Sequence, residues 1–104
     1  MKEQITTLEL DKCYRVKYES ISWCIRVYEE FVFSKYSSLT AIRVDNSGIN
    51  TREFLMSDSY QDSKYNVQEI SNSEFMHEFR TKRYYDALKK VNNLIGDAYK
   101  VKET

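Results

Sequence analysis

The stretch Cys13-Tyr-Arg-Val-Lys-Tyr-Glu-Ser-Ile-Ser-Trp-Cys-Ile-Arg-Val-Tyr28 shows the clearest structural pattern in the sequence. Apolar and polar residues alternate on both sides of a short polar break, which is typical of two half-buried strands joined as a hairpin. Such aromatic and β-branched neighbours stabilise a sheet when they face one another across the strands. With the turn at residues 19–22, the pattern predicts one buried face made of the pairs Tyr18–Trp23, Val16–Ile25 and Tyr14–Val27.

The other face of this hairpin carries the basic residues Arg15, Lys17 and Arg26, with Tyr28 beside them. The predicted pairing puts Arg15 opposite Arg26, and like charges in this position destabilise a sheet unless an anion compensates them. One interpretation is therefore a site for a phosphate, a nucleotide or an acidic protein surface, with Tyr28 available for stacking. The other interpretation is a solvated face whose charges pair with carboxylates of neighbouring strands.

The rest of the chain predicts three more strands and one helix. Residues 1–12 form a mostly polar lead-in, and further strands are expected at 39–44, 49–56 and 65–70, within a sheet region spanning 13–70. Asp45-Asn-Ser-Gly48 is a strong turn signal, because glycine readily adopts a positive φ. We therefore expect a single α+β domain, with a strongly bent five-stranded antiparallel sheet or a small open barrel followed by one C-terminal amphipathic helix.

The helix is expected at 71–96, followed by a polar tail at 97–104. Ser71 and Glu74 have the spacing of a capping box, and Gly96 can end the helix. Apolar residues recur near helical spacing, which predicts one face that covers the sheet. These residues are Phe75, Phe79, Tyr84, Leu88, Val91 and Ile95.

Composition excludes several classes of protein. The 104 residues include 16 basic and 16 acidic side chains, so no net field would steer the chain toward nucleic acid or a membrane. No apolar run is long enough to cross a bilayer, and the N-terminus lacks the apolar segment of a signal peptide. We therefore expect a cytoplasmic protein without membrane contact. Low glycine, absent proline and many tyrosines favour a low-GC bacterium or a phage as the source, in which case the location is the host cytoplasm.

Catalytic and metal-binding groups are scarce. The single histidine, His77, has no serine or cysteine that the sequence places beside it, and no glycine-rich phosphate loop is present. The cysteines, Cys13 and Cys24, are too far apart in the predicted pairing to form a disulfide, and they lack metal-ligand spacing. We expect a protein that is not an enzyme, with no catalytic residues, no metal site and no cofactor.

Surplus aromatic and basic residues predict an interaction surface. Exposed tyrosine is favoured at protein interfaces because it adds contact area at little entropic cost. Basic residues on the helix are usually solvated, but they could also contact phosphates. The predicted interaction residues are Tyr36, Tyr60, Tyr85, Arg80, Lys82 and Arg83.

These features favour a non-catalytic protein that binds its partner stoichiometrically. The leading prediction is a small protein-interaction module or inhibitor, encoded by a phage and directed at a bacterial enzyme or defence complex. The alternative is a receptor for an anionic small molecule such as a nucleotide, assembled as a homodimer. A third prediction is nucleic-acid binding through the basic helix.

Overall fold

One open antiparallel sheet and one helix make up the fold. The computed structural model describes residues 7–33, 35 and 37–95, with side chains described as far as Val91. The strands lie in the order β4-β3-β2-β1-β5 and do not close into a barrel, so the predicted α+β fold is confirmed. The elements are β1 (Cys13–Tyr18), β2 (Ile21–Val32), β3 (Ser37–Asp45), β4 (Gly48–Met56), β5 (Tyr65–Ile70) and α1 (Asn72–Ile95).

The β1–β2 hairpin turns more tightly than predicted. Only Glu19 and Ser20 form the turn, and Glu19 has a φ of 55°. A two-residue turn with positive φ matches the twist of the flanking strands, so the pairing moves by two residues. An even shift keeps every side chain on its predicted face, because strand side chains alternate with a period of two. The pairs that form are Tyr14–Ile25, Val16–Trp23 and Tyr18–Ile21.

The predicted pairing of Arg15 with Arg26 is therefore wrong. Arg15 pairs with Cys24, and Arg26 pairs with Cys13. Both arginines still lie on the same face of the sheet, but they occupy diagonal positions and do not oppose each other. The two cysteines are likewise diagonal neighbours, and both are buried and free.

The first face of the sheet is apolar and is covered by loops. Its buried side chains include Tyr14, Val16, Trp23, Ile25, Val27, Leu39, Ala41 and Val67. Because β4 and β5 lie at opposite edges, the connection at 57–64 crosses this face and buries Tyr60 there. Leu8 joins the same cluster, and its N–H donates to the carbonyl of Ser57 at 2.9 Å.

The prediction that Tyr60 belongs to an interaction surface is wrong. Only 7% of this residue is exposed. Its ring lies 6.1 Å from Trp23 in an edge-on arrangement and 5.0 Å from Tyr65. Burial raises the pKa of the Tyr60 hydroxyl, although nearby Trp23 acts in the opposite direction.

The second face of the sheet is mixed in character and is covered by α1. Ser71 caps the helix, since its hydroxyl accepts a hydrogen bond from the N–H of Glu74 at 3.0 Å. Phe75 and Phe79 pack on this face. The helix then runs toward the β3–β4 turn, where Lys82 Nζ donates to the carbonyl of Asn46 at 3.0 Å. The sheet residues beneath it include Cys13, Cys24, Ile42, Val44 and Ile49.

The predicted single apolar face of the helix is wrong beyond Phe79. Tyr84 is 63% exposed and Val91 is 42% exposed, so neither covers the sheet. The five-residue step from Phe79 to Tyr84 turns the side-chain direction by about 140° at 3.6 residues per turn. The predicted helix end at Gly96 and the tail at 97–104 lie outside the described residues. No helix in the described part of the chain is long and apolar enough to cross a membrane.

Candidate functional site

A cleft between α1 and the sheet brings together residues that the sequence placed in two separate groups. Arg15 comes from the predicted anion site, whereas Lys82 and Tyr85 come from the predicted interaction surface. All three line a cavity of about 210 Å³, and Cys24, Asp45 and Glu78 lie around them. We call this space the helix–sheet cleft.

The charges in the helix–sheet cleft compensate one another. Arg15 forms an ion pair with Glu78 at 3.3 Å, and Lys82 forms one with Asp86 at 3.1 Å. The carboxylate that compensates Arg15 therefore comes from α1, whereas the sequence pattern suggested one from a neighbouring strand. An anionic ligand in this cleft would have to compete with Glu78 for Arg15.

Asp45 at the rim of the helix–sheet cleft also has its partners within the chain. Burial is the largest single influence and would raise the pKa of its carboxyl, but the hydrogen bonds from Arg43, Ser47 and Gly48 and the charge of Arg43 together outweigh it. The hydrogen bond from Arg43 is 2.8 Å long, and the N–H groups of Ser47 and Gly48 donate to the same carboxyl. The pKa of Asp45 is consequently held below its ordinary value of 3.8.

Arg26 helps to hold the start of α1 on the sheet. Its guanidinium donates to Asn72 Oδ1 at 2.8 Å and to the sulfur of Cys13 at 3.6 Å. Cys24 lies deeper on the same face, and burial raises the pKa of its thiol. A thiol of this kind stays protonated at neutral pH and is a poor nucleophile.

The other predicted anion-site residues lie apart from the helix–sheet cleft. Lys17 is exposed and makes no hydrogen bond or ion pair with the described residues. Tyr28 lies at a bulge in β2, and its hydroxyl donates to the carbonyl of Thr51 at 2.7 Å. The structure thus brings Arg15 and Arg26 to one face, each with a partner from α1. The anion site remains a prediction.

The predicted helix residues differ in their surroundings. Arg80 and Arg83 are exposed, whereas Lys82 turns inward to Asn46 and Asp86. Tyr85 is 45% exposed, and its ring lies 5.5 Å from that of Tyr84. Tyr36 lies outside the described residues.

A second surface lies on the same sheet face, beyond the start of α1. The bulge between Val27 and Glu29 bends β2, and the strand then continues past the end of β1. No described element covers this end of the sheet, and Phe31 is 58% exposed and Phe54 74% exposed. We call this surface the open sheet patch; it consists of Phe31, Ser38, Phe54 and Met56, and the buried Thr40 lies beneath Phe54 and Phe31 on the same face.

The open sheet patch includes Phe54 and Met56 of edge strand β4. The backbone of this strand is partly capped by groups of its own chain. The N–H of Arg52 donates to Asn50 Oδ1, and that of Met56 donates to Ser59 Oγ. The Thr51 carbonyl accepts the bond from Tyr28. These contacts and the irregular pairing between Ala41 and Arg43 disfavour the addition of another strand along the whole edge.

Sequence reasoning did not identify the residues of the open sheet patch as a site. A usable signal was present, because Phe31-Val-Phe33 follows Glu29-Glu30 without a break and lies beyond the length that β1 can pair. Glu78 and Asn72 were also missed as arginine partners. Their contacts with Arg15 and Arg26 depend on where α1 docks on the sheet, and a local sequence pattern does not predict the docking position.

Comparison with protein-family models, curated proteins and solved structures gives no match to this chain. Within the described residues, no group of three or more histidine, cysteine or acidic side chains could hold a metal ion. The functional interpretation therefore depends on the geometry of the two surfaces.

Proposed function

We propose that this protein is a non-catalytic, stoichiometric protein-binding module that contacts its partner through the open sheet patch. The observation that supports the proposal most directly is the exposure of Phe31 and Phe54, at 58% and 74%, on one uncovered sheet face. Aromatic side chains grouped on a solvent-facing surface are typical of protein interfaces.

The shape of the patch supports contact through side chains. Phe54 pairs with Thr40, and Ser38 pairs with both Phe31 and Met56, so small polar residues lie between larger apolar ones. A shallow recess of about 180 Å³ adjoins Phe54 and Met56. A partner could insert an apolar side chain there, between Phe54 and Met56.

The ionic groups of the molecule support a binding role over a catalytic one. Arg15, Arg43 and Lys82 each pair with a carboxylate of the same chain. The buried thiol of Cys24 is held in its protonated form, as described above. The inhibitor role that composition predicts remains a prediction, and a binding surface of this kind is what such a role would require.

The experiment is selection from a displayed library of random peptides on the immobilised protein. We expect enrichment of peptides with aromatic or aliphatic residues. The selected peptides should bind the double variant Phe31→Ser/Phe54→Ser at least about tenfold more weakly than the wild type. Both side chains are exposed, so the stability of the variant should change by no more than about 0.5 kcal/mol per site.

The matched control is Ile21→Ser, which removes a 53% exposed apolar residue at the opposite end of β2. This control should leave peptide binding unchanged within about twofold. The open sheet patch is not the interface if the library yields no binders. The same conclusion follows if the selected peptides bind the wild type and the double variant with equal affinity.

A further inference from the structure

The helix α1 carries a second apolar stripe that points away from the sheet. Tyr84, Leu88 and Val91 follow one another at spacings of four and three residues, which places them on one side of a helix. Phe75 and Phe79 lie on the other side and pack on the sheet. We call the first set the outer stripe.

Two of the three side chains of the outer stripe are exposed. Tyr84 and Val91 are 63% and 42% exposed, and Leu88 is half-buried. The sheet-facing side of α1 near these residues is polar: Asp86 lies beside Gly48 and pairs with Lys82. A helix whose apolar side faces solvent gains stability by packing against another helix or a groove.

Basic residues flank the outer stripe. At 3.6 residues per turn, Arg80, Arg83 and Lys90 lie along one side of it. All three are exposed, and none has a carboxylate partner among the described residues. In helix pairs, charges beside the apolar seam select the partner and disfavour one that carries the same sign.

We propose that the outer stripe binds an acidic amphipathic helix of a partner protein. Tyr84, Leu88 and Val91 would form the apolar seam, and Arg83 and Lys90 would pair with glutamate or aspartate beside it. A second copy of this chain fits less well, because antiparallel pairing would bring the two basic flanks together. This proposal uses a surface separate from the open sheet patch and does not depend on it.

Nucleic acid is the other ligand class that a basic helix can bind. Phosphate contacts would use Arg80, Arg83 and Lys90, but they would leave the apolar stripe without a role. The combination of a basic flank with an apolar seam is better explained by an amphipathic helix than by a phosphate backbone.

The test measures binding of the full chain to a designed 21-residue helical peptide with leucine at heptad spacing and glutamate at the flanking positions. The comparison ligands are a scrambled peptide of the same composition and a 20-base-pair DNA duplex. Fluorescence anisotropy at two salt concentrations gives the affinities. We expect the amphipathic peptide to bind at least about tenfold more tightly than the scrambled one.

Two double variants test the contributions of the apolar seam and of the basic flank separately. Tyr84→Gln/Val91→Gln should weaken peptide binding at least about tenfold. Arg83→Gln/Lys90→Gln should weaken it as well and reduce its salt dependence. The control Ile21→Gln removes a 53% exposed apolar side chain from β2, away from the outer stripe, and should change binding less than about twofold. Circular dichroism checks that each variant keeps its helix.

Four results would overturn the proposal. They are equal binding of the scrambled peptide, tighter binding of the DNA duplex, unchanged binding by Tyr84→Gln/Val91→Gln, and a wild-type dimer in sedimentation that this double variant dissociates. The Phe31→Ser/Phe54→Ser variant should bind the acidic peptide normally, so failure here is distinguishable from failure at the open sheet patch.

Discussion

The two faces of the sheet are covered in different ways. The first face is almost wholly apolar and is covered by Leu8 and Tyr60, which come from otherwise polar segments. The second face is covered by a long helix over only part of its area. Phe31 and Phe54 on this face lie beyond the helix and are exposed. The first face therefore contributes mainly to the stability of the fold. The second face and the helix that covers it carry the exposed apolar surfaces.

The arginines of the two faces show the same contrast. Arg43 on the first face lies 4.4 Å from the centre of the Trp23 ring and bonds to Asp45. Arg15 and Arg26 on the second face bond across to α1 through Glu78 and Asn72. Arg43 is therefore held by groups of its own sheet, whereas Arg15 and Arg26 are each held by a residue of the docked helix.

The largest expected effect concerns the cover of the first face. Tyr60→Ala should lower the free energy of unfolding by about 3 kcal/mol, because it removes a buried ring between Trp23 and Tyr65. Tyr85→Ala, at the helix–sheet cleft and 45% exposed, should change it by less than about 1 kcal/mol. Urea unfolding at constant slope measures both. Similar small losses for the two variants would show that the first face does not depend on its loop.

A smaller effect, dependent on pH, is expected from Asp45→Asn. Asparagine can still accept the hydrogen bonds from Ser47 and Gly48 but loses the charge that faces Arg43, which should cost about 1 kcal/mol at neutral pH. The pKa of Asp45 is lowered on folding, so the folded state binds this proton less readily than the unfolded state.

The sign of the pH effect follows from that lowered pKa. Its contribution to stability is fully present above the ordinary value of 3.8 and is lost as the pH falls through the lower folded value. The difference between wild type and Asp45→Asn should thus be constant from pH 7 to 5 and shrink below pH 3.8. Unfolding curves across this series measure it, and a difference that persists unchanged at the acid end would contradict the assignment.

The smallest expected effect comes from the second face. Arg15→Gln breaks an ion pair whose side chains are 30% and 41% exposed, so the loss should be about 0.5 kcal/mol or less. Added nucleotides should not shift the unfolding temperature of the wild type, because the guanidinium of Arg15 is already paired with Glu78. A nucleotide-dependent shift in the wild type that Arg15→Gln abolishes would instead support the anion-receptor alternative.

The sequence predicted the positions of the strands and the helix better than it predicted the contacts between them. β1 and β5 have the predicted bounds, since alternation and polar breaks are local properties. The hairpin pairing was wrong because Glu19 adopts a positive φ that its residue type does not signal. Tyr60 was misassigned because a tyrosine in a polar segment is buried only when the strand order carries that segment across the sheet.

The candidate site was predicted only in part, for the same physical reason. Arg15 and Arg26 were placed on one face by periodicity alone, and the structure keeps them there. Their partners on α1 depend on the docking angle of a helix that starts 46 positions after Arg26, from residue 26 to residue 72. The prediction of a single apolar face was wrong because it overlooked the five-residue step from Phe79 to Tyr84, which turns the side-chain direction by about 140°.

The position of β5 has a consequence for how the chain folds. Strands β1 to β4 pair with their neighbours in sequence, whereas Val67 of β5 pairs with Val16, a separation of 51 positions from residue 16 to residue 67. Closing so long a loop costs chain entropy, so the first four strands are expected to assemble early and β5 to join after the rate-limiting step. In stopped-flow kinetics, Val67→Ala should then accelerate unfolding and leave the refolding rate nearly unchanged; slower refolding would place β5 in the nucleus.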